Sequence, residues 1–123
     1  MCSQGAQVLS RLIRKWENDP TAPSPDRVLF LLAGNPLRNP TGKGVGGREF
    51  DGGKGVATPD DSRYRVIDVA RQGDAWAIRR PWWSLGGWLS LVAGAHLNYK
   101  VVDLNGPGNT VVTRGRMTWV TAP

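Results

Sequence analysis

The chain has one cysteine and one histidine among 123 residues. Cys2 alone cannot form an internal disulfide, and with only His96 beside it no Cys- or His-based metal cluster can be assembled. No metal or cofactor is therefore expected. Long apolar runs are missing too. The longest nearly uncharged stretch, WWSLGGWLSLVAGA (82–95), has fourteen residues, two of them serine and three glycine, which is too short to span a bilayer. AQVLSRLIRKW near the N-terminus interrupts its apolar residues with charge and does not read as a secretory signal. The expected location is the cytoplasm or the inside of a virion, and a membrane partner ranks last.

Acidic residues are few: ten Asp and Glu against sixteen Lys and Arg, a formal net charge of +6. The imbalance is local. Residues 1–61 carry eight cations and seven anions, whereas 62–123 carry eight and three, and arginine dominates the second set. Such a half attracts polyanions, nucleic acid among them.

The length fits one domain with a single core. Leu9, Leu12, Ile13 and Trp16 recur at helical spacing, which predicts an amphipathic helix over about 5–18. DPTAPSP ends it. Ser24, Pro25 and Asp26 suit the start of a second, short helix through DRVLFLLAG, stopped by Gly34, with an inner strand as the alternative. From Arg63 the pattern alternates. RYRVIDVA (63–70) and DAWAIRR (74–80) read as one β-hairpin; NYKVVDL (98–104) and NTVVTRGRMTWV (109–120), around NGPG, read as another. Gly115 would mark a bulge, and 84–97 fits a long strand better than a helix. The expected fold is α+β: two N-terminal helices (1–34) packed on an antiparallel sheet of four to six strands (62–123), with a Gly/Pro-rich loop (35–61) between.

That loop contains TGKGVGGREFDGGKG (41–55), with seven glycines and two lysines. Gly42, Gly44 and Gly47 match G-x-G-x-x-G, but no strand leads in and no helix leads out, as a pyrophosphate site requires. A P-loop fails by counting: Leu37 stands where glycine is needed before Lys43, and Gly44 where Ser or Thr is needed after it. The remaining expectation is a hairpin with Phe50 near its tip, reaching a partner through Lys43, Arg48, Phe50 and Lys54.

Arg63, Arg65, Arg79, Arg80, Arg114 and Arg116 fall in predicted strands or at their ends, where they would form a basic stripe if the strands are neighbours. The alternative is a solvated face partnered by Asp68, Asp74 and Asp103. Trp76, Trp88 and Trp119 have core phase. Trp82 and Trp83 are adjacent and point to opposite faces of an extended chain, so one of them is available to a protein interface or a base.

Catalytic signatures are scarce. Ser84 and Ser90 carry no triad motif, no nucleophile elbow is recognised, and a lone histidine in an apolar segment reads as structural. The first expectation is thus a non-enzymatic assembly protein, a phage or viral connector or decoration subunit contacting other subunits or copies of itself. The second is a nucleic-acid binder using the arginines with Trp82 or Trp83. The third is a metal-independent ribonuclease-type toxin built from His96, Tyr99, Arg114 and Arg116.

Overall fold

The Leu9–Trp16 spacing does make one helical face. Helix α1 spans Gln4–Trp16 and buries Ala6 and Ile13, with Arg14 and Lys15 in its last turn, where the helix dipole favours cations. The structure, a computed structural model, describes residues 3–49, 51–78, 96 and 98–123.

Past a single 3-10 turn at Pro25–Arg27, the apolar run becomes strand β1, Leu29–Ala33. Phe30 and Leu32 are buried while Leu29 and Leu31 are exposed, the period-two pattern of a strand. Strand β2 is Arg65–Arg71, β3 is Thr110–Arg114 and β4 is Met117–Ala122. The sheet order is β1-β2-β4-β3. The first three strands are mutually parallel, and β3 is antiparallel to β4.

This corrects the predicted fold. Among the described residues there is one α-helix, not two, and the sheet is mixed, not antiparallel. The second helix fails because LFLLA is a continuous apolar run, which carries no period and is typical of parallel strands. Both predicted hairpins dissolve as well. Residues 74–78 turn and 98–104 form no strand, while the real hairpin joins β3 to β4 through Gly115 at φ +56. NGPG carried the stronger turn signal, yet its upstream flank is not a strand. The predicted strand over 84–97, apart from His96, lies outside the described residues.

The core lies between α1 and one sheet face: Ala6 and Ile13 pack with Phe30, Leu32, Tyr64, Val66, Met117 and Trp119. Trp16, Phe30 and Tyr64 form an aromatic triangle with centroids 5.5 to 5.9 Å apart, and the Tyr64 hydroxyl donates to the Pro23 carbonyl at 2.7 Å. No helix among the described residues is long and apolar enough to cross a membrane.

A buried polar cluster ties the segment after β1 to the middle of β2. Arg38 donates to the Asp68 carboxylate at 2.7 Å and to its carbonyl at 2.6 Å. Asn35 donates to Asp68 at 2.7 Å and to Thr58 at 2.8 Å, and Thr58 meets Ser10 of α1 at 2.7 Å. Asp68 is fully buried, so the solvated outer face expected for it is also corrected. Burial pushes its carboxyl above the usual range, against the pull of Arg38 and Asn35. Arg38→Ala strands that carboxyl without its cation and should cost about 3–5 kcal/mol, read as a lower denaturation midpoint.

The glycine-rich stretch folds back on the body. Arg48 and Lys54 form an antiparallel bridge, closed by Glu49 N–H to Gly53 O at 2.7 Å and Gly55 N–H to Gly47 O at 2.8 Å. A Cβ on Gly55 would stand 1.7 Å from the Gly44 carbonyl oxygen, so no larger residue fits that crossing. Arg11 of α1 grips Asp51 bidentately at 2.6 and 2.8 Å and also pairs with Glu49. Through that contact Asp51 is held well below the usual carboxylate range, chiefly by the Arg11 hydrogen bond.

Candidate functional site: a serine, histidine and aspartate in line

Ser3 has φ 53 and ψ −114, and it is the only non-glycine with positive φ among the described residues. Such a backbone is costly for a side chain that carries a Cβ and tends to mark a functional turn. Two anchors hold it. The Ser3 N–H donates to the Ala33 carbonyl at the end of β1 (3.0 Å), and the Ser3 carbonyl accepts from Gln7 N–H at 3.2 Å as α1 begins. These contacts hold Ser3, at the start of α1, by the carboxyl end of β1, the side on which open α/β sheets place their ligands.

His96 meets it there. Its Nε2 lies 2.7 Å from Ser3 Oγ, and its Nδ1 lies 3.0 Å from both carboxylate oxygens of Asp74. A carboxylate facing Nδ1 favours the proton on that nitrogen, so that Nε2 accepts from the serine hydroxyl. Asp74 is fully buried just beyond β2. It accepts the Tyr99 hydroxyl at 2.6 Å and the N–H groups of Trp76 and Ala77 at 2.9 and 3.3 Å. Burial alone would raise its pKa, but the hydrogen bonds from His96, Tyr99 and Trp76 outweigh it, and the carboxyl is held below the usual range.

Gly34 makes this packing feasible. It sits at φ +58, and a Cβ there would fall 2.9 Å from the Tyr99 ring and 3.0 Å from Asp74 Oδ2. Gly34→Ala should therefore cost at least the left-handed strain of about 1–2 kcal/mol. The check is denaturant titration, in which an unchanged midpoint would contradict the close packing.

A cavity of about 340 Å³ opens beside the relay, lined by Ser3, Gln4, Gln7, Pro36, Arg48, Glu49, Trp76 and His96. The Trp76 ring lies 5.9 Å from that of His96 and is 42% exposed, so this tryptophan is a wall of the cavity and not the core residue its phase predicts. Trp119 is buried as expected. Gln4, the first residue of α1, also lines the cavity, at the helix end whose N–H groups the helix leaves unpaired and whose dipole is positive. The site thus sets an oriented base on a hydroxyl at the start of a helix.

The predicted site residues are scattered by comparison. Arg63 spans to the Trp16 and Asp19 carbonyls and closes the end of α1. Arg65 and Arg116 line a second cavity with Arg27, at the opposite end of β2 from Asp74. Arg114 lies over Trp119, 3.8 Å from Asp60. Arg79, Arg80, Trp82, Trp83 and Phe50 lie outside the described residues. Of the ribonuclease set, His96 and Tyr99 do come together on Asp74, but Arg114 and Arg116 sit on the β3–β4 hairpin. Ser3 escaped notice, although Ser3-Gln4-Gly5 reads S-x-G directly before an amphipathic helix and Ser, Asp and His follow in that chain order. Met1 stands where the fuller G-x-S-x-G motif has its first glycine, and that departure hid it.

The described residues thus set a serine, an acid and a histidine at the carboxyl ends of the parallel strands in a mixed sheet under one helix. The chain belongs to the PE-PPE domain family, whose sequence model matches residues 2–85. The match covers Ser3 and Asp74 and stops before His96. No curated protein and no solved structure matches the chain.

Proposed function

We propose that the chain is a serine hydrolase acting on acyl esters. The observation that carries the reading is the continuous Ser3–His96–Asp74 hydrogen-bonded chain, with 2.7 Å on one side of the imidazole and 3.0 Å on the other.

On this reading His96 Nε2 takes the Ser3 hydroxyl proton as Oγ attacks the ester carbonyl carbon. The oxyanion that forms is met by the Gln4 N–H and the positive end of α1. His96 then returns the proton to the leaving alkoxide, which departs as an alcohol and leaves an acyl group on Ser3. Water, deprotonated by the same imidazole, releases the acid and regenerates Oγ–H. Asp74 stays ionised throughout, holding the ring and stabilising the imidazolium; Tyr99 and the two backbone N–H groups hold Asp74.

The assembly-subunit and nucleic-acid readings neither need nor explain a strained serine aligned on a histidine, and the hydrolase reading is preferred for that reason. Release of p-nitrophenol from p-nitrophenyl hexanoate tests it. Saturable turnover with an initial acyl-enzyme burst supports the assignment, and a rate no higher than that of heat-unfolded protein contradicts it.

A further inference from the structure

The cavity beside Ser3 has an asymmetric charge balance. Among the described residues its one lining carboxylate, Glu49, is buried and already paired with Arg11 and, at 3.8 Å, with Arg14. Asp51 is likewise taken up by Arg11. Arg48, by contrast, is exposed on the cavity wall, and Lys54 stands across from it in the glycine hairpin. Lys43 hangs 4.6 Å over the Trp76 ring on the same rim. None of these three cations makes an ion pair among the described residues. Like charges paired across strands repel, a cost that an anion between them removes.

We infer that the site selects an ester bearing a negative charge, carboxylate or phosphate, with Arg48 as the specificity-determining residue. The inference rests on the hydrolase reading and adds the substrate class to it. The guanidinium fork suits either oxyanion bidentately, and the half-exposed Trp76 offers the acyl chain an apolar wall in the same cavity. The glycine hairpin thereby acquires a role as the wall that carries the selecting charge.

Comparing mono-p-nitrophenyl adipate with p-nitrophenyl hexanoate, six-carbon acyl groups with and without a terminal carboxylate, tests this. The wild-type kcat/KM ratio should favour adipate, mainly through KM, and should fall with added salt. Arg48→Gln should lower the ratio roughly three- to tenfold, the range of a partly exposed charged hydrogen bond, and Arg48→Glu should invert it. Hexanoyl-coenzyme A against hexanoyl-pantetheine gives the phosphate arm and distinguishes the two anion sources. Equal ratios in the wild type and Arg48→Glu, in both arms, overturn the inference. Free adipate binding to Ser3→Ala, measured by calorimetry, reads the anion site without turnover. If that binding is unaffected by Arg48→Glu the inference falls, whereas absent turnover with Arg48-dependent binding counts against the hydrolase reading alone.

Discussion

Ser3→Ala should lower kcat/KM for p-nitrophenyl hexanoate by on the order of 10⁴- to 10⁶-fold, the scale lost when the nucleophile of such a relay is removed. Folding should survive, because the side-chain hydroxyl contacts His96 at the rim of an open cavity and supports no core packing. The variant therefore separates chemistry from stability. A melting temperature close to that of the parent with abolished turnover is the expected pair of results. Retained turnover would mean that some other group attacks the ester.

Asp74→Asn should cost about 10⁴-fold in kcat, for a different reason. An amide facing Nδ1 can donate a hydrogen bond, and this favours the tautomer whose Nε2 carries the proton and cannot accept from Ser3. Ser3 would still be present and correctly placed, so KM should change far less than kcat. Stability against pH supplies a second readout. The Asp74 carboxyl is held below its ordinary value, so the unfolded chain takes up its proton at a higher pH than the folded one. Its contribution is complete above the unfolded value of about 3.9 and is lost as the pH falls through the lower folded value. Denaturation midpoints of the wild type should thus drop at the acid end more steeply than those of Asp74→Asn. Parallel curves would deny that the folded structure favours the ionised carboxylate.

The parts of this molecule that were legible in its sequence are the locally determined ones. Leu9, Leu12, Ile13 and Trp16 announce α1 because a helix face is written every three to four residues. RYRVIDVA announces β2 because alternation and β-branched residues coincide. LFLLA leaves helix and strand both open, since an unbroken apolar run shows no period in its sequence even though only Phe30 and Leu32 turn inward. Parallel pairing of β1 with β2, which sets Leu29 opposite Arg65 far along the chain, leaves no short-range trace. The site was harder still. In the sequence Asp74 reads as a hairpin residue and His96 as a structural one, and Ser3 lies ahead of the predicted helix with no pattern to single it out. Only the fold brings positions 3, 74 and 96 within hydrogen-bonding reach. Gly34 reads as a helix stop in the sequence; its role at φ +58, making room for Asp74 and Tyr99, comes only from the fold.

Treatment with a fluorophosphonate, followed by intact-mass and peptide mass spectrometry, tests the central claim most directly. The reagent phosphonylates only a serine whose hydroxyl is activated by a neighbouring base, with loss of fluoride. One adduct per chain, located on Ser3 and absent from both Ser3→Ala and His96→Ala, is the predicted result. An unlabelled chain, or label on another residue that persists in Ser3→Ala, would contradict the account.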